Sequence, residues 1–319
     1  MRIVVMGTGG VGGYFGARLA RAGHEVTVVA RGAHLDAIRR GGLVVRSSVE
    51  GEYTAPVTAV EKVDGLPAAD AVLLCVKSFD TETAVEHVRG VVGAHTAVLS
   101  LQNGVDNEEK IDAALGAGRA LGGVAYVFAT IEAPGVIAHT FAGTVALGEM
   151  DGRPSARAER LRDAFDTAGV PVRLADDIRR VLWEKYLLIA AQAGMTGLTR
   201  SPIGVIRDTR ETWRMYRMIV GELAALGRAS GVALPADAVE TTLAGAEKLA
   251  PHLYSSLHFD LVNGKRLELE ALHGHAVRLG ERLGVPTPMV FAVYAGLKPF
   301  AGGGVTSTGA GLTPTGGQR

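Results

Sequence analysis

The sequence predicts an α/β fold: an N-terminal doubly wound parallel sheet followed by a C-terminal all-helical domain. Three observations predict it. Short apolar runs of strand length recur through the first 175 residues, with helical spacing between several of them. The first of these runs ends in a glycine-rich turn that opens a helix. From residue 176 onward the texture is helical throughout. A chain of 319 residues also exceeds what one core usually serves, so two domains are expected, 1–175 and 176–301. The tail 302–319, rich in Gly, Thr and Pro, is expected to be disordered.

The glycine-rich turn organises the rest. Ile3–Met6 reads as a buried strand, and Gly7, Gly9 and Gly12 follow it in the spacing G-x-G-x-x-G. Gly7 allows the tight turn, Gly9 lets the backbone approach a pyrophosphate, and Gly12 lets the next helix pack against the strand. That helix runs from Val11 to about Gly23, and the strand Glu25–Ala30 completes a β-α-β unit of the length a Rossmann-type dinucleotide site requires. The free N–H groups and positive dipole end of the helix favour phosphate. At the end of the second strand, where an acid would take the ribose 2′-hydroxyl of NAD, the sequence has Arg31. A cation there attracts a 2′-phosphate and leans the chain to NADP(H).

The remaining elements follow in order. Ala33–Arg40 reads as a helix, and Leu43–Arg46 and Tyr53–Val60 as short strands or edges. Asp70–Lys77 and Thr96–Leu101 are further buried strands, ending at Lys77 and just before Asn103. Ligands of open α/β sheets lie outside the carboxyl ends of the strands, so both residues are candidates for cofactor binding. Asn103–Gly104 is also a plain turn signal. Ala120–Phe128, Gly135–Phe141 and Gly143–Gly148 alternate as antiparallel strands; a helix at Ala156–Ala168 and an edge strand at Pro171–Leu174 close the first domain. Asp176 or Asp177 caps a long helix, Ile178–Gly194, and further helices are expected at Glu211–Ser230, Pro235–Leu249, Leu267–Leu283 and Thr287–Lys298.

Composition excludes several function classes. A formal net charge of +0 gives no electrostatic case for nucleic acid or an anionic membrane. No apolar run reaches the roughly 18 residues of a membrane span. The single cysteine, Cys75, rules out an internal disulfide framework and suggests a reducing, cytoplasmic setting; within a strand it reads as a buried, inert thiol. His139, flanked by apolar residues, reads as structural. His273 and His275 face different sides of a helix, so they form no metal pair and no metal site is expected.

Among candidate catalytic residues, Lys185 stands between Leu182 and the run Leu187–Ile189, an apolar setting that makes an ammonium either snorkel or titrate low, as a proton donor requires. Glu268 and Glu270 stand at the start of a helix, where acids are also common for purely structural reasons. Ser255–Ser256 could bind a carboxylate or cap a helix.

The segments GTGGVGGYFGARLARAGHEVTVVARGAHLDAIR, CVKSFDT, LQNGVDN, WEKYLL, SSLHFDLVNGKRLELE and GVPTPM, in that order over nearly the whole chain, together resemble the ketopantoate reductase family. The resemblance implies NADPH as hydride donor, a small 2-oxo acid as substrate and a 2-hydroxy acid as product. It places the general acid of the family on Lys185 and its active-site glutamate on Glu268. It also places the substrate-binding serine on Ser256, the asparagine that serves cofactor and substrate on Asn103, and a cofactor lysine on Lys77. A homodimer is plausible by the same analogy. Two family asparagines, four and eight residues after the lysine, are replaced here by Ile189 and Ala193, and Gln192 lies on a different face. Losing two polar partners favours a substrate with an apolar side chain over a hydroxylated one. A relative acting on another 2-oxo acid, a non-catalytic NADPH-binding sensor, and a structural module whose turn binds nothing are the alternatives.

Overall fold

The computed structural model describes residues 1–304; residues 305–319, which make up most of the tail expected to be disordered, lie outside that range. In chain order the first part comprises β1 (Arg2–Met6), α1 (Gly10–Arg21), β2 (Glu25–Val29), α2 (Gly32–Gly41), β3 (Leu43–Ser47), β4 (Gly51–Ala55), β5 (Thr58–Val60), β6 (Ala69–Leu74), α3 (Thr81–Val88), β7 (Val92–Ser100), α4 (Asn107–Leu115), β8 (Ala120–Ala133), β9 (Val136–Glu149), α5 (Ala156–Thr167) and β10 (Val172–Leu174). The helices that follow are α6 (Ile178–Thr199), α7 (Ile203–Asp208), α8 (Arg210–Ala229), α9 (Ala238–Glu247), α10 (Ser256–Val262), α11 (His275–Leu283) and α12 (Pro288–Leu297).

The strands form one sheet in the order β4-β3-β9-β8-β7-β6-β1-β2-β5, with β10 beside β9. β1 runs parallel to β2 on one side and β6 on the other. The chain thus winds outward from β1 in both directions, and the switch falls between β1 and β6, where the crevice at the strands' carboxyl ends accepts ligands in such sheets. Both faces of the central strands are covered, hence their continuous apolar runs. Ile3 and Val5 face a core with Phe15 and Leu19 of α1, Leu35 and Ile38 of α2, and Leu161 and Phe165 of α5. Val4 and Met6 face a second core with Val85 and Val88 of α3 and Ile111 of α4. The alternation is the two-residue period of a strand.

Departures from the sequence reading have local causes. Tyr53–Val60 is two strands, since Pro56 interrupts it: β4 pairs with β3 and β5 with β2. The two strands expected after residue 134 are one, β9, which absorbs a register shift beside Gly143, at φ +123°. The helix expected from Leu267 begins as a π-helical turn, Glu270–Gly274, before α11. Helices α4, α7 and α10, each under ten residues, were too short for a periodic stripe to stand out.

Backbone packing divides the chain into two compact units: Met1–Leu187 with Ala224–Ala238, and Leu188–Leu223 with the residues from Val239 onward. Asp177 caps α6 as anticipated, its carboxylate accepting from the Arg180 N–H at 3.0 Å. Within the second unit, Gly194 of α6 lets His273 approach so closely that a Cβ would lie 2.7 Å from the imidazole Nε2. No helix among the described residues is long and apolar enough to cross a membrane.

Candidate active site

The turn after β1 has the backbone the spacing predicts. Gly7 sits at φ +101°, and a Cβ there would lie 2.7 Å from the Val76 backbone N. A Cβ on Gly12 would lie 2.1 Å from the Gly7 carbonyl O, so both positions require glycine. Gly9, the N-cap of α1, differs: a Cβ there would meet nothing within 4 Å. The space in front of Gly9 is open, and the first turn of α1 carries no acid, so its N–H groups present an uncompensated positive end. These residues fit the pyrophosphate of a dinucleotide.

Thr8 ties this loop to the end of β2, donating from its hydroxyl to the Val29 carbonyl at 2.7 Å. Two residues on, Arg31 is the exposed N-cap of α2, and its guanidinium has no ion pair among the described residues. It is a cation available to a 2′-phosphate. His34, which the sequence reading passed over, supports the same corner: its Nδ1 accepts from the Gly135 N–H at 3.0 Å. Burial is the largest cause lowering its pKa. The imidazole therefore ties α2 to the β8–β9 turn.

Lys77 follows β6, half-buried, as the N-cap of a single 3₁₀ turn, Ser78–Asp80. Asn103 follows β7, and its side chain accepts from the Lys185 ammonium, Nζ to Oδ1, at 3.0 Å. Lys185 reaches it from α6, where Leu182, Trp183, Tyr186 and Leu187 are buried around the helix while Lys185 itself is half-exposed. The Tyr126 ring of β8 lies 5.9 Å from Nζ to its centroid. The structure thus joins two residues 82 apart in sequence, both on the sheet unit, into one polar pair.

Asn103 is braced from below. Asn107 donates from Nδ2 to the Asn103 carbonyl at 3.1 Å and accepts from the Thr81 hydroxyl at 3.3 Å. Gln102 donates to the Val76 carbonyl at 3.0 Å and the Thr81 hydroxyl at 2.8 Å. Gln102, Thr81 and Asn107 are buried. Sequence reasoning missed this brace, because Asn-Gly looks like any turn and Thr81 lies on a separate helix. Also unforeseen is Glu108 at the start of α4. It is buried, its Oε2 lacks a hydrogen-bond partner, and burial pushes its pKa up to about 8.

Ser256 and Glu268 belong to the second unit. The adjacent serines divide the roles left open by the sequence. Ser255 is the cap, accepting from the His258 N–H at 3.1 Å and contacting the Thr196 hydroxyl at 2.7 Å, whereas Ser256 is exposed. The two acids divide as well. Glu270 lies in a cluster with Arg278 at 2.7 Å, Tyr294 at 2.8 Å and Lys298. Partial burial works against its ionisation, but those hydrogen bonds prevail and hold its pKa at about 2. Glu268 is buried two residues before the π turn begins.

The residues read as structural are packed accordingly. His139 is buried, bonded to Ser47 at 2.8 Å and stacked on Tyr14. Burial pushes the Cys75 thiol up to about 12. His273 bonds the Ala190 carbonyl at 2.9 Å, and burial holds its pKa down at about 4. Among the described residues no three His, Cys, Asp or Glu side chains are grouped to hold a metal.

A glycine phosphate loop at the switch point of a doubly wound sheet defines a dinucleotide-binding fold of the Rossmann type. The chain belongs to the ketopantoate reductase family, and so is an oxidoreductase: the model for ketopantoate reductase PanE/ApbA matches residues 3–152 and that for its C-terminal domain matches 177–301. It is 33% identical over 322 residues to a 2-dehydropantoate 2-reductase of Mesorhizobium japonicum, covering 94% of this chain and 98% of that one. It is 30% identical over 303 residues to the uncharacterized oxidoreductase YkpB of Bacillus subtilis, covering 94% and 99%. The crystal structure of a PanE/ApbA family ketopantoate reductase from Ralstonia eutropha superposes with a TM-score of 0.87 at 34% identity, covering 94% of this chain and 98% of that chain.

Proposed function

We propose that this protein reduces a 2-oxo acid to the 2-hydroxy acid with NADPH, residues 1–175 holding the cofactor and 176–301 supplying the catalytic lysine and substrate contacts. The observation that carries the reading is the Lys185–Asn103 pair at 3.0 Å, at the carboxyl end of β7. Gly7, Gly9 and Gly12 would hold the pyrophosphate, Arg31 the 2′-phosphate, and Lys77 and Asn103 the rest of the cofactor. Bound there, the dinucleotide supplies the hydride that reduces the keto carbon.

The protein's own share is electrostatic and acidic. Lys185 donates a hydrogen bond to the keto oxygen, stabilises negative charge as it develops, and passes a proton from Nζ to that oxygen. Asn103, as acceptor, fixes the position of the ammonium. Ser256 would bind the substrate carboxylate, and Glu268 would orient either a substrate hydroxyl or Lys185. Ketopantoate is the substrate that family membership favours. A second reading, a more apolar 2-oxo acid, is favoured by Ile189 and Ala193 at the turns of α6 that follow Lys185.

The test is NADPH oxidation with ketopantoate and with 3,3-dimethyl-2-oxobutanoate, which differs only in carrying a methyl where ketopantoate has a hydroxymethyl. Turnover by the wild type, lost by about a thousandfold in Lys185→Ala with NADPH binding retained, supports the assignment. Equal turnover in the variant refutes it.

A further inference from the structure

The long strand β8 presents two different faces past residue 125. Val127 and Ala129 pack onto the core beside α1, and Gly10 of α1 lies so close that a Cβ there would be 1.9 Å from the Ala129 carbonyl. Tyr126 and Phe128 therefore point from the opposite face, where they are 42% and 39% exposed. Phe128 is paired across the ladder with Phe141 of β9, which is 71% exposed. Three aromatic rings thus stand on one open strip of the sheet unit. One end of the strip is fixed relative to the candidate proton donor, since the Tyr126 centroid is 5.9 Å from Lys185 Nζ.

We infer that Tyr126, continued by Phe128, is the wall against which the substrate's side chain packs, making Tyr126 a specificity-determining residue that selects 2-oxo acids with branched-alkyl or aryl groups at C3. The inference rests on the proposed 2-oxo acid reduction. The argument is one of reach. A keto oxygen hydrogen-bonded to Nζ lies about 2.9 Å from it, and the carbonyl carbon follows at about 1.2 Å from that oxygen. The groups on C3 then fall within about 6 Å of Nζ, the distance of the Tyr126 ring. Asn103 already occupies one side of the ammonium. An aromatic face offers large apolar contact area without demanding a polar partner for its ring carbons.

The experiment compares kcat/KM for 3,3-dimethyl-2-oxobutanoate with that for pyruvate, whose C3 carries only hydrogens, in the wild type and in Tyr126→Ser, Tyr126→Phe and Phe128→Ser. The bulky acid is expected to be preferred by the wild type. Tyr126→Ser should cut that ratio by about tenfold or more, the order by which small apolar groups discriminate in a pocket. Tyr126→Phe should restore it, because the ring and not the hydroxyl makes the contact, and Phe128→Ser should lower it by a smaller factor. Turnover with an unchanged ratio in Tyr126→Ser, or Tyr126→Phe as harmful as Tyr126→Ser, overturns the wall while leaving the reductase reading intact. No reduction of any 2-oxo acid by the folded, NADPH-binding wild type overturns both.

Discussion

Glu108 makes the protein's stability depend on pH in a direction opposite to that of an ordinary carboxylate. Its side chain is buried at the start of α4, with Oε2 unpartnered and Asp106, Glu109 and Asp112 adding negative charge around it. Burial, the largest cause, raises its pKa from 4.5 to about 8, and the neighbouring acids add to the effect against a hydrogen bond from its own backbone N–H. Because the folded pKa is the higher one, the folded state holds the proton more tightly. The contribution is therefore fully present below about pH 4.5 and is lost as pH climbs to about 8. A rise of about 3.5 pH units, at about 1.4 kcal/mol each, makes the loss about 5 kcal/mol at most. Glu108→Gln keeps the shape and cannot ionise. Urea midpoints measured from pH 5 to pH 9 should fall in the wild type and fall distinctly less in the variant, the gap between the two curves widening up to about pH 8 and then levelling off. Parallel curves would refute the assignment of a neutral, buried carboxyl.

Other outcomes follow from the same geometry. Arg31→Ala should weaken NADPH binding about tenfold while NADH binding moves by less than about twofold, as fluorescence titration would show, since only the 2′-phosphate loses a charge-assisted partner. Asn107→Ala removes the brace on the Asn103 carbonyl. It should lower kcat by about tenfold, with the NADPH dissociation constant nearly unmoved, because slight misplacement of a catalytic group costs rate before binding. Phe165→Ala, at a fully buried position where the ring meets Phe15 edge-on at 5.8 Å, should cost about 3–5 kcal/mol in chemical denaturation.

The parallel core and the phosphate turn were legible because each is dictated locally. Apolar runs force burial on both faces, and Gly7 and Gly12 stand where backbone packing admits no side chain. The candidate site was legible only where a residue's position along a strand implied its place, as for Lys77 and Asn103 at strand ends. What joins Asn103 to Lys185 spans 82 residues and depends on tertiary packing, which periodicity does not encode. The same holds for the acids at residues 268 and 270, equivalent in sequence until Lys298, 28 residues further on, engages one of them. Tyr126 escaped notice because a strand aromatic is usually core, and only its exposure in the folded chain shows that its face is open.

The π turn at Glu270–Gly274 has a consequence for how this segment tolerates change in length. Such a turn holds one residue more than an α-helix needs over the same span. Deleting a single residue there would let the helix continue without interruption, so fold and stability could survive. Each residue of an α-helix, however, advances about 100° around the axis. The wider turn takes up that rotation, so the deletion would leave Glu268 and α11 in the same angular relation, whereas one residue added to an unbroken α-helix would swing Glu268 by about that angle. The π turn is thus a place where this segment can differ in length by one residue while Glu268 keeps its aim.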